Sequence, residues 1–155
     1  MTGPVLTLPL ADRGAVLEVA GGKGAWLARL AAAGLPVPEG FHLTVAAYRR
    51  FVAANGLRPV IESALAGAEA ADLAGVEAAS QAIRARFLAG RVPAAVGEAI
   101  SRGYAGLGGG PVAVRSSATL EDLPGASFAG QQDSFLNVTG ADAVLAAVRG
   151  CWASL

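Results

Sequence analysis

Lys23 stands among glycines in the run Gly21-Gly22-Lys23-Gly24, directly before a segment with helical periodicity. Glycines let a backbone approach a ligand closely, a helix N-terminus favours anions, and a lysine adds a compact positive charge. The run therefore suits a phosphate group. It is not a Walker P-loop, because that pattern needs glycine where Leu17 stands and serine or threonine where Gly24 stands. A tight glycine turn beside a solvated lysine explains the same residues, so both interpretations stay open.

A second candidate segment covers residues 112–131 and has the sequence VAVRSSATLEDLPGASFAGQ. Arg115 stands at the end of an expected strand, and its planar guanidinium can bind two phosphate oxygens at once. The small residues of 126–130 suit a loop that folds over a polyphosphate and presents backbone N–H groups to it, with Phe128 shielding the site or packing the loop. A β-hairpin with a long connection is the alternative interpretation.

Other chemically interesting side chains give weaker signals. His42 is the sole histidine, so no serine–histidine–acid arrangement is convincing, and we predict a structural or surface role for it. Cys151 is the sole cysteine, so an internal disulfide and a cysteine-rich metal site are excluded. It lies on a predicted buried face. Glu121 and Asp122 could hold magnesium through phosphates, but solvated loop acids are the simpler interpretation. We assign no residue as a metal ligand.

The elements that must position these residues follow from periodicity and chain breakers. We predict strands at 5–10, 41–44, 112–117 and 133–138, and helices at 25–33, 45–52, 58–65, 73–87 and 93–104. A last helix after Thr139 carries Val144, Val148, Cys151 or Trp152, and Leu155 on one face. Thr44 should cap the second helix, and Thr139 with Asp142 resembles a capping box for the last. The pattern predicts an α/β (α+β) fold, with helices around a small mixed or antiparallel sheet.

Composition bounds the class of protein. The 155 residues suit one domain or a large piece of one, and 54% apolar residues suffice for a core. Twelve basic and twelve acidic residues cancel, which gives no field to attract nucleic acid or an anionic membrane. No signal peptide and no uncharged apolar run of about 18 residues is evident, so we expect a cytoplasmic protein.

The last helix is still running where the sequence stops, so we expect a piece of a longer protein. A missing neighbour should leave an exposed apolar patch near Trp152 and Leu155.

Two long stretches together resemble one family. Residues 21–51, GGKGAWLARLAAAGLPVPEGFHLTVAAYRRF, resemble the start of phosphoenolpyruvate synthases and their relatives. Residues 112–138, VAVRSSATLEDLPGASFAGQQDSFLNV, resemble the same family's most distinctive motif, and the closing CWASL also fits. The family includes phosphoenolpyruvate synthase, pyruvate phosphate dikinase, glucan water dikinase and rifampicin phosphotransferase.

The resemblance implies that residues 1–155 are the N-terminal portion of an ATP-grasp domain. Such a domain uses ATP and Mg²⁺ to phosphorylate a histidine on another domain of the same chain. That histidine then passes the phosphoryl group to an acceptor: pyruvate in a phosphoenolpyruvate synthase, the antibiotic in a rifampicin phosphotransferase. The adenine pocket and the magnesium ligands would come largely from the second half of the fold, so this piece alone should be inactive. A catalytically inactive nucleotide-binding or interaction module is a further alternative, as is a scaffold in which both motifs are only turns.

By resemblance, Lys23 and Arg115 are the catalytic pair. The implied ATP-binding residues are Gly22, Lys23, Arg115, Ser127, Phe128, Ala129 and Gly130. If phosphates bridge the two segments, the side chains of Lys23 and Arg115 should point into a common space on the order of 10 Å across.

Overall fold

A computed structural model describes residues 3–66, 72–119 and 132–155. In these ranges the chain forms six helices and two antiparallel sheets of two strands each. The strands are β1 (Thr7–Pro9), β2 (Phe41–Leu43), β3 (Val112–Arg115) and β4 (Ser134–Val138). The helices are α1 (Leu17–Ala32), α2 (Val45–Ala54), α3 (Leu57–Ala66), α4 (Leu73–Ala89), α5 (Ala94–Gly106) and α6 (Ala141–Ala153). The predicted α/β class is confirmed, with two separate small sheets where one was expected.

Helix α1 consists of two helical pieces that meet at Gly21. The backbone of Gly21 (φ 73°, ψ 177°) lies in a region that essentially only glycine adopts. Helical geometry resumes at Gly22 and continues to Ala32. The prediction that this helix begins at Ala25 is therefore wrong, because Gly22 to Gly24 already form its first turn.

The first sheet pairs β1 with β2, with Leu8 opposite His42. Thr44 follows β2 and directly precedes α2, but its hydroxyl does not cap that helix. The hydroxyl is buried and donates a hydrogen bond to the carbonyl oxygen of Val5 at 2.8 Å. The predicted Thr44 cap is wrong: the hydroxyl is directed at the carbonyl beside β1, and its oxygen accepts no hydrogen bond from the first turn of α2.

The turn between β4 and α6 also differs from the prediction. Gly140, with φ 94°, is the residue before α6, and no side chain caps the helix. The expected capping box of Thr139 and Asp142 is therefore wrong. The hydroxyl of Tyr104 instead accepts a hydrogen bond from the N–H of Gly140 at 2.8 Å.

The main core is formed by α2, α3, α5 and α6, with Phe87 from the end of α4. Its fully buried side chains include Phe51, Leu57, Val96 and Ile100. Trp152 is only 8% exposed, because its ring packs against Phe51 with centroids 4.8 Å apart. The predicted exposed patch around Trp152 is therefore wrong.

The prediction that the last helix runs to Leu155 needs correction. Leu155 is exposed, but α6 ends at Ala153, because the Ser154 hydroxyl bonds to the Cys151 carbonyl and closes the helix.

In α4, Leu73 and Val76 are exposed, although their spacing is typical of one buried helical face. The helix packs mainly on α3 and α6, and only Phe87 near its end is buried, where its ring also contacts Phe51 of α2.

None of the helices in the described ranges is both long and apolar enough to cross a membrane.

Candidate functional site

The glycine run of α1 lies directly on the chain that leaves β3. The N–H of Gly22 donates to the carbonyl oxygen of Ala118 at 2.9 Å, and the N–H of Gly24 donates to the hydroxyl oxygen of Ser117 at 3.1 Å. A Cβ placed on Gly21 would overlap the backbone and the hydroxyl of Ser117. Glycine is thus required here for a close approach of two backbone segments.

The Ser117 hydroxyl does the work that a capping side chain normally does from within its own helix. A capping residue accepts a hydrogen bond from an N–H in the first helical turn. Here the acceptor comes from a residue 93 positions away along the chain. The capped helix turn and the end of β3 are consequently fixed relative to each other.

Lys23 extends from this first turn to the same chain segment. Its Nζ donates to the carbonyl oxygen of Ser116 at 3.3 Å and to Oε1 of Gln132 at 3.2 Å. Ser116 directly follows Arg115. The structure therefore brings the two candidate segments of the sequence together at the end of β3.

Arg115 is the last residue of β3 and pairs with Ser134 of β4. Val112 and Val114 pack against the core, while Arg115 is exposed, as alternation along a strand requires. The guanidinium thus lies on the side of the sheet away from the core. Whether it shares a single ligand space with the ammonium of Lys23 stays a prediction.

Sequence reasoning missed two residues of this region, Ser116 and Gln132. Ser116 is buried, and its hydroxyl donates to Oε1 of Gln132 at 2.6 Å. Both lie within the distinctive motif of residues 112–138, and that motif was the signal that could have indicated them. The sequence alone does not reveal which of the neighbouring polar residues faces Lys23.

Several predicted residues fall outside the described ranges. These are Glu121, Asp122, Ser127, Phe128, Ala129 and Gly130. Their roles stay predictions. Among the residues that the structure does describe, no group of three or more histidine, cysteine, aspartate or glutamate side chains could hold a metal ion.

His42 lies in the interior beneath α1. Its Nε2 is 3.1 Å from the carbonyl oxygen of Leu10, and this carbonyl can only accept, so Nε2 carries the proton. Burial lowers the pKa of His42, while the Leu10 carbonyl and the charge of Asp12 oppose that shift. A Cβ on Gly24 would come within 3.1 Å of Nδ1, so the ring also sets how closely α1 can pack.

Cys151 lies on the buried face of α6, behind β3 and β4. Its thiol is within hydrogen-bonding distance of the carbonyl oxygens of Val114 (3.7 Å) and Asp133 (3.6 Å). Burial raises the pKa of Cys151 to about 11; Asp133 adds to the shift, and Lys23 opposes it. The thiolate is thus disfavoured, as expected for a packing residue rather than a nucleophile.

The sequence of the chain also identifies its family. Residues 17–155 match the family described as the pyruvate phosphate dikinase AMP/ATP-binding domain, and the chain belongs to it.

The individual relatives are much longer proteins than this chain. The chain is 46% identical over 143 residues to the probable phosphoenolpyruvate synthase of Methanothermobacter thermautotrophicus, covering 88% of this chain and 21% of that protein. It is 42% identical over an alignment of 160 positions to the phosphoenolpyruvate synthase of Deinococcus radiodurans, covering 100% of this chain and 20% of the relative. It is 40% identical over 141 residues to the rifampicin phosphotransferase of Bacillus subtilis, covering 90% and 16%. The chain spans about a fifth of the length of these relatives.

Proposed function

We propose that this chain is the ATP-binding part of a dikinase-type phosphotransferase. The whole protein would transfer a phosphoryl group from ATP to a histidine on another domain, and from there to pyruvate. The observation that carries the proposal is the contact of Lys23 Nζ with the carbonyl of Ser116, beside Arg115. Membership of the AMP/ATP-binding family supports the nucleotide as the ligand.

The chemistry of phosphoryl transfer suits the groups assembled here. The transfer needs positioning and neutralisation of oxygen charge more than it needs covalent help from side chains. Lys23 offers a compact ammonium and Arg115 a planar fork that binds two oxygens. The chain has no net charge, so attraction of a triphosphate depends on these local cations rather than on a long-range field.

The proposed roles of the remaining residues differ in character. Ser127, Phe128, Ala129 and Gly130 would form a flap over the phosphates. The N–H of Gly22 donates to Ala118 in this structure, so a bond from it to ATP would require that contact to exchange. We further propose that residues 1–155 are the first part of an ATP-grasp domain, with adenine contacts and Mg²⁺ ligands mostly in its second half.

Titration of the full-length protein with ATP and Mg²⁺ tests the assignment. Lys23→Ala and Arg115→Ala should each weaken ATP binding by about tenfold or more, which corresponds to about 1.4 kcal/mol. Arg58→Ala is the matched control, because Arg58 is a highly exposed cation on α3 that pairs with Glu62 of its own helix. Unchanged affinity and unchanged phosphorylation of the enzyme in both site variants would overturn the proposal.

A rifampicin phosphotransferase is the second candidate. It is favoured by the 40% identity to the Bacillus subtilis enzyme, which is close to the 46% found for a probable phosphoenolpyruvate synthase. Incubating the full-length protein with ATP and either pyruvate or rifampicin, and following the products by phosphorus NMR, separates the two. ATP binding without transfer to either compound would instead favour an inactive nucleotide-binding module or another acceptor.

A further inference from the structure

Gln132 accepts two hydrogen bonds at one atom. Its Oε1 lies 3.2 Å from Nζ of Lys23 and 2.6 Å from the hydroxyl of Ser116. We propose that Gln132 is a positioning residue that holds the ammonium of Lys23 in place for a polyphosphate. The inference rests on the proposed function, and it adds a residue to which that function assigns no role.

The donor and acceptor inventory fixes which end of the amide faces Lys23. An ammonium has only protons to donate, so the atom opposite must be the amide oxygen and not the amide nitrogen. The hydroxyl of Ser116 donates to the same oxygen, which uses both of its acceptor positions. Ser116 is only 6% exposed, so this second bond is shielded from water. The orientation of the Gln132 side chain is therefore set from two directions.

The backbone beside Gln132 is also well anchored. The N–H of Asp133 donates to the hydroxyl oxygen of Ser154 at 3.0 Å, and the carboxylate of Asp133 pairs with Arg84 of α4. The thiol of Cys151 approaches the carbonyl oxygen of Asp133. These contacts attach the segment to α4 and to the end of α6. A side chain supported in this way can hold a functional group within narrow limits.

The neutrality of the amide matters as much as its geometry. A glutamine oxygen orients an ammonium without cancelling its charge, so the full charge remains to attract phosphate oxygens. A carboxylate of the same shape would form an ion pair with Lys23 and compete with the nucleotide. A glutamine at position 132 thus suits the positioning of Lys23 for an anionic ligand better than it suits a role in protein stability alone.

Three variants of the full-length protein test the inference by titration with ATP and Mg²⁺. Gln132→Leu removes the acceptor and should weaken ATP binding about fivefold to tenfold. Gln132→Glu keeps both bonds and should keep the melting temperature, yet weaken ATP binding at least as much. A purely structural role for Gln132 predicts the opposite for Gln132→Glu, namely retained affinity.

The double variant with Lys23→Met shows whether Gln132 acts through the lysine. In that background Gln132→Leu should change the affinity by less than about twofold, because the group that it positions is gone. The inference is overturned if Gln132→Leu binds ATP like wild type, if Gln132→Glu does so, or if the effect of Gln132→Leu persists beside Lys23→Met. If wild-type protein does not bind ATP, or if Lys23→Met leaves the ATP affinity unchanged, the proposed function fails and this inference fails with it. If only the Gln132 variants lack their expected change in ATP affinity, the proposed function stands.

Discussion

Gly21 and Ser117 lie in such close contact that not even one methyl group fits between them. The contact joins the bend inside α1 to the chain leaving β3, and it is reinforced by the neighbouring bond from Gly24 to the Ser117 hydroxyl. Everything that brings Lys23 to Ser116 depends on this approach.

The first prediction concerns the glycine itself. Gly21→Ala should lower the free energy of unfolding by about 2–5 kcal/mol, because it adds both backbone strain and overlap with Ser117. Gly34→Ala is the control, since Gly34 also has a positive φ (78°) but open space where a Cβ would be. It should lose only the conformational contribution, about 1–2 kcal/mol. Urea denaturation of both variants measures the difference, and equal losses would show that the Ser117 contact is not tight.

The second prediction concerns a hydroxyl that joins two turns. The Tyr104 hydroxyl accepts a hydrogen bond from the N–H of Gly140. It donates to the carbonyl oxygens of Gly109 and Gly110, which lie 2.6 Å and 3.0 Å from its own oxygen. Tyr104→Phe should lower the free energy of unfolding by about 1 kcal/mol, because it removes the part-buried hydrogen bonds that join the two turns.

The chain's other tyrosine provides the control for that change. The ring of Tyr48 packs on Phe87 and Trp152, and its hydroxyl forms no hydrogen bond to the part of the chain that the structure describes. Tyr48→Phe should therefore alter the free energy of unfolding by about 0.5 kcal/mol or less. Similar effects of the two substitutions in thermal denaturation would contradict the role given to the Tyr104 hydroxyl.

The third prediction uses the two tryptophans. Trp152 is 8% exposed in the aromatic core, whereas Trp26 is 54% exposed, with the guanidinium of Arg29 over its ring. Trp152→Ala should lower the free energy of unfolding by about 3–5 kcal/mol, and Trp26→Ala by about 1 kcal/mol or less. Acrylamide should quench the fluorescence that remains in Trp152→Phe more strongly than that in Trp26→Phe. Stronger quenching in Trp26→Phe than in Trp152→Phe would contradict the burial of Trp152.

The fourth prediction concerns pH. Burial lowers the pKa of His42 below its ordinary value of 6.5, so the unfolded chain binds the proton more readily than the folded one. The contribution of the neutral ring is complete above pH 6.5 and is lost as the pH falls through the lowered folded pKa. Between pH 7.5 and 5.5 the wild-type melting temperature should fall more than that of His42→Gln. Parallel curves for the two proteins would show that His42 has the same pKa in both states.

Local patterns predicted most of the helices. In α5, Val96, Ile100 and Tyr104 repeat at intervals of four and are all buried, and Pro93 directly precedes the helix. Asn55 and Gly56 follow the end of α2, two residues beyond the predicted end at 52, and the Asn55 amide donates to the Phe51 carbonyl. Such features depend on neighbours within a few residues, and these are visible in the sequence.

Features that depend on distant partners were not predictable in the same way. Thr44 has the residue type and place of a helix cap, yet its hydroxyl is directed at the carbonyl of Val5 and does not bond to the helix. The sequence around Ser117 does not indicate a capping residue, because the helical piece that it caps begins at Gly22, far away along the chain. Gln132 became a candidate only when the fold placed it beside Lys23. Each case is a competition between hydrogen-bond partners that only the three-dimensional arrangement decides.

The contact between the first turn of α1 and Ser117 joins residues 93 positions apart. Closing a loop of that length has an entropic cost of about 4 kcal/mol, apart from a constant, and only many other long-range contacts can offset it. The two candidate segments therefore cannot find each other early, while only local helices exist. A nascent or partly unfolded chain would carry Lys23 and Arg115 without the proposed nucleotide site, so by that proposal ATP should bind, and thereby stabilise, only the finished fold.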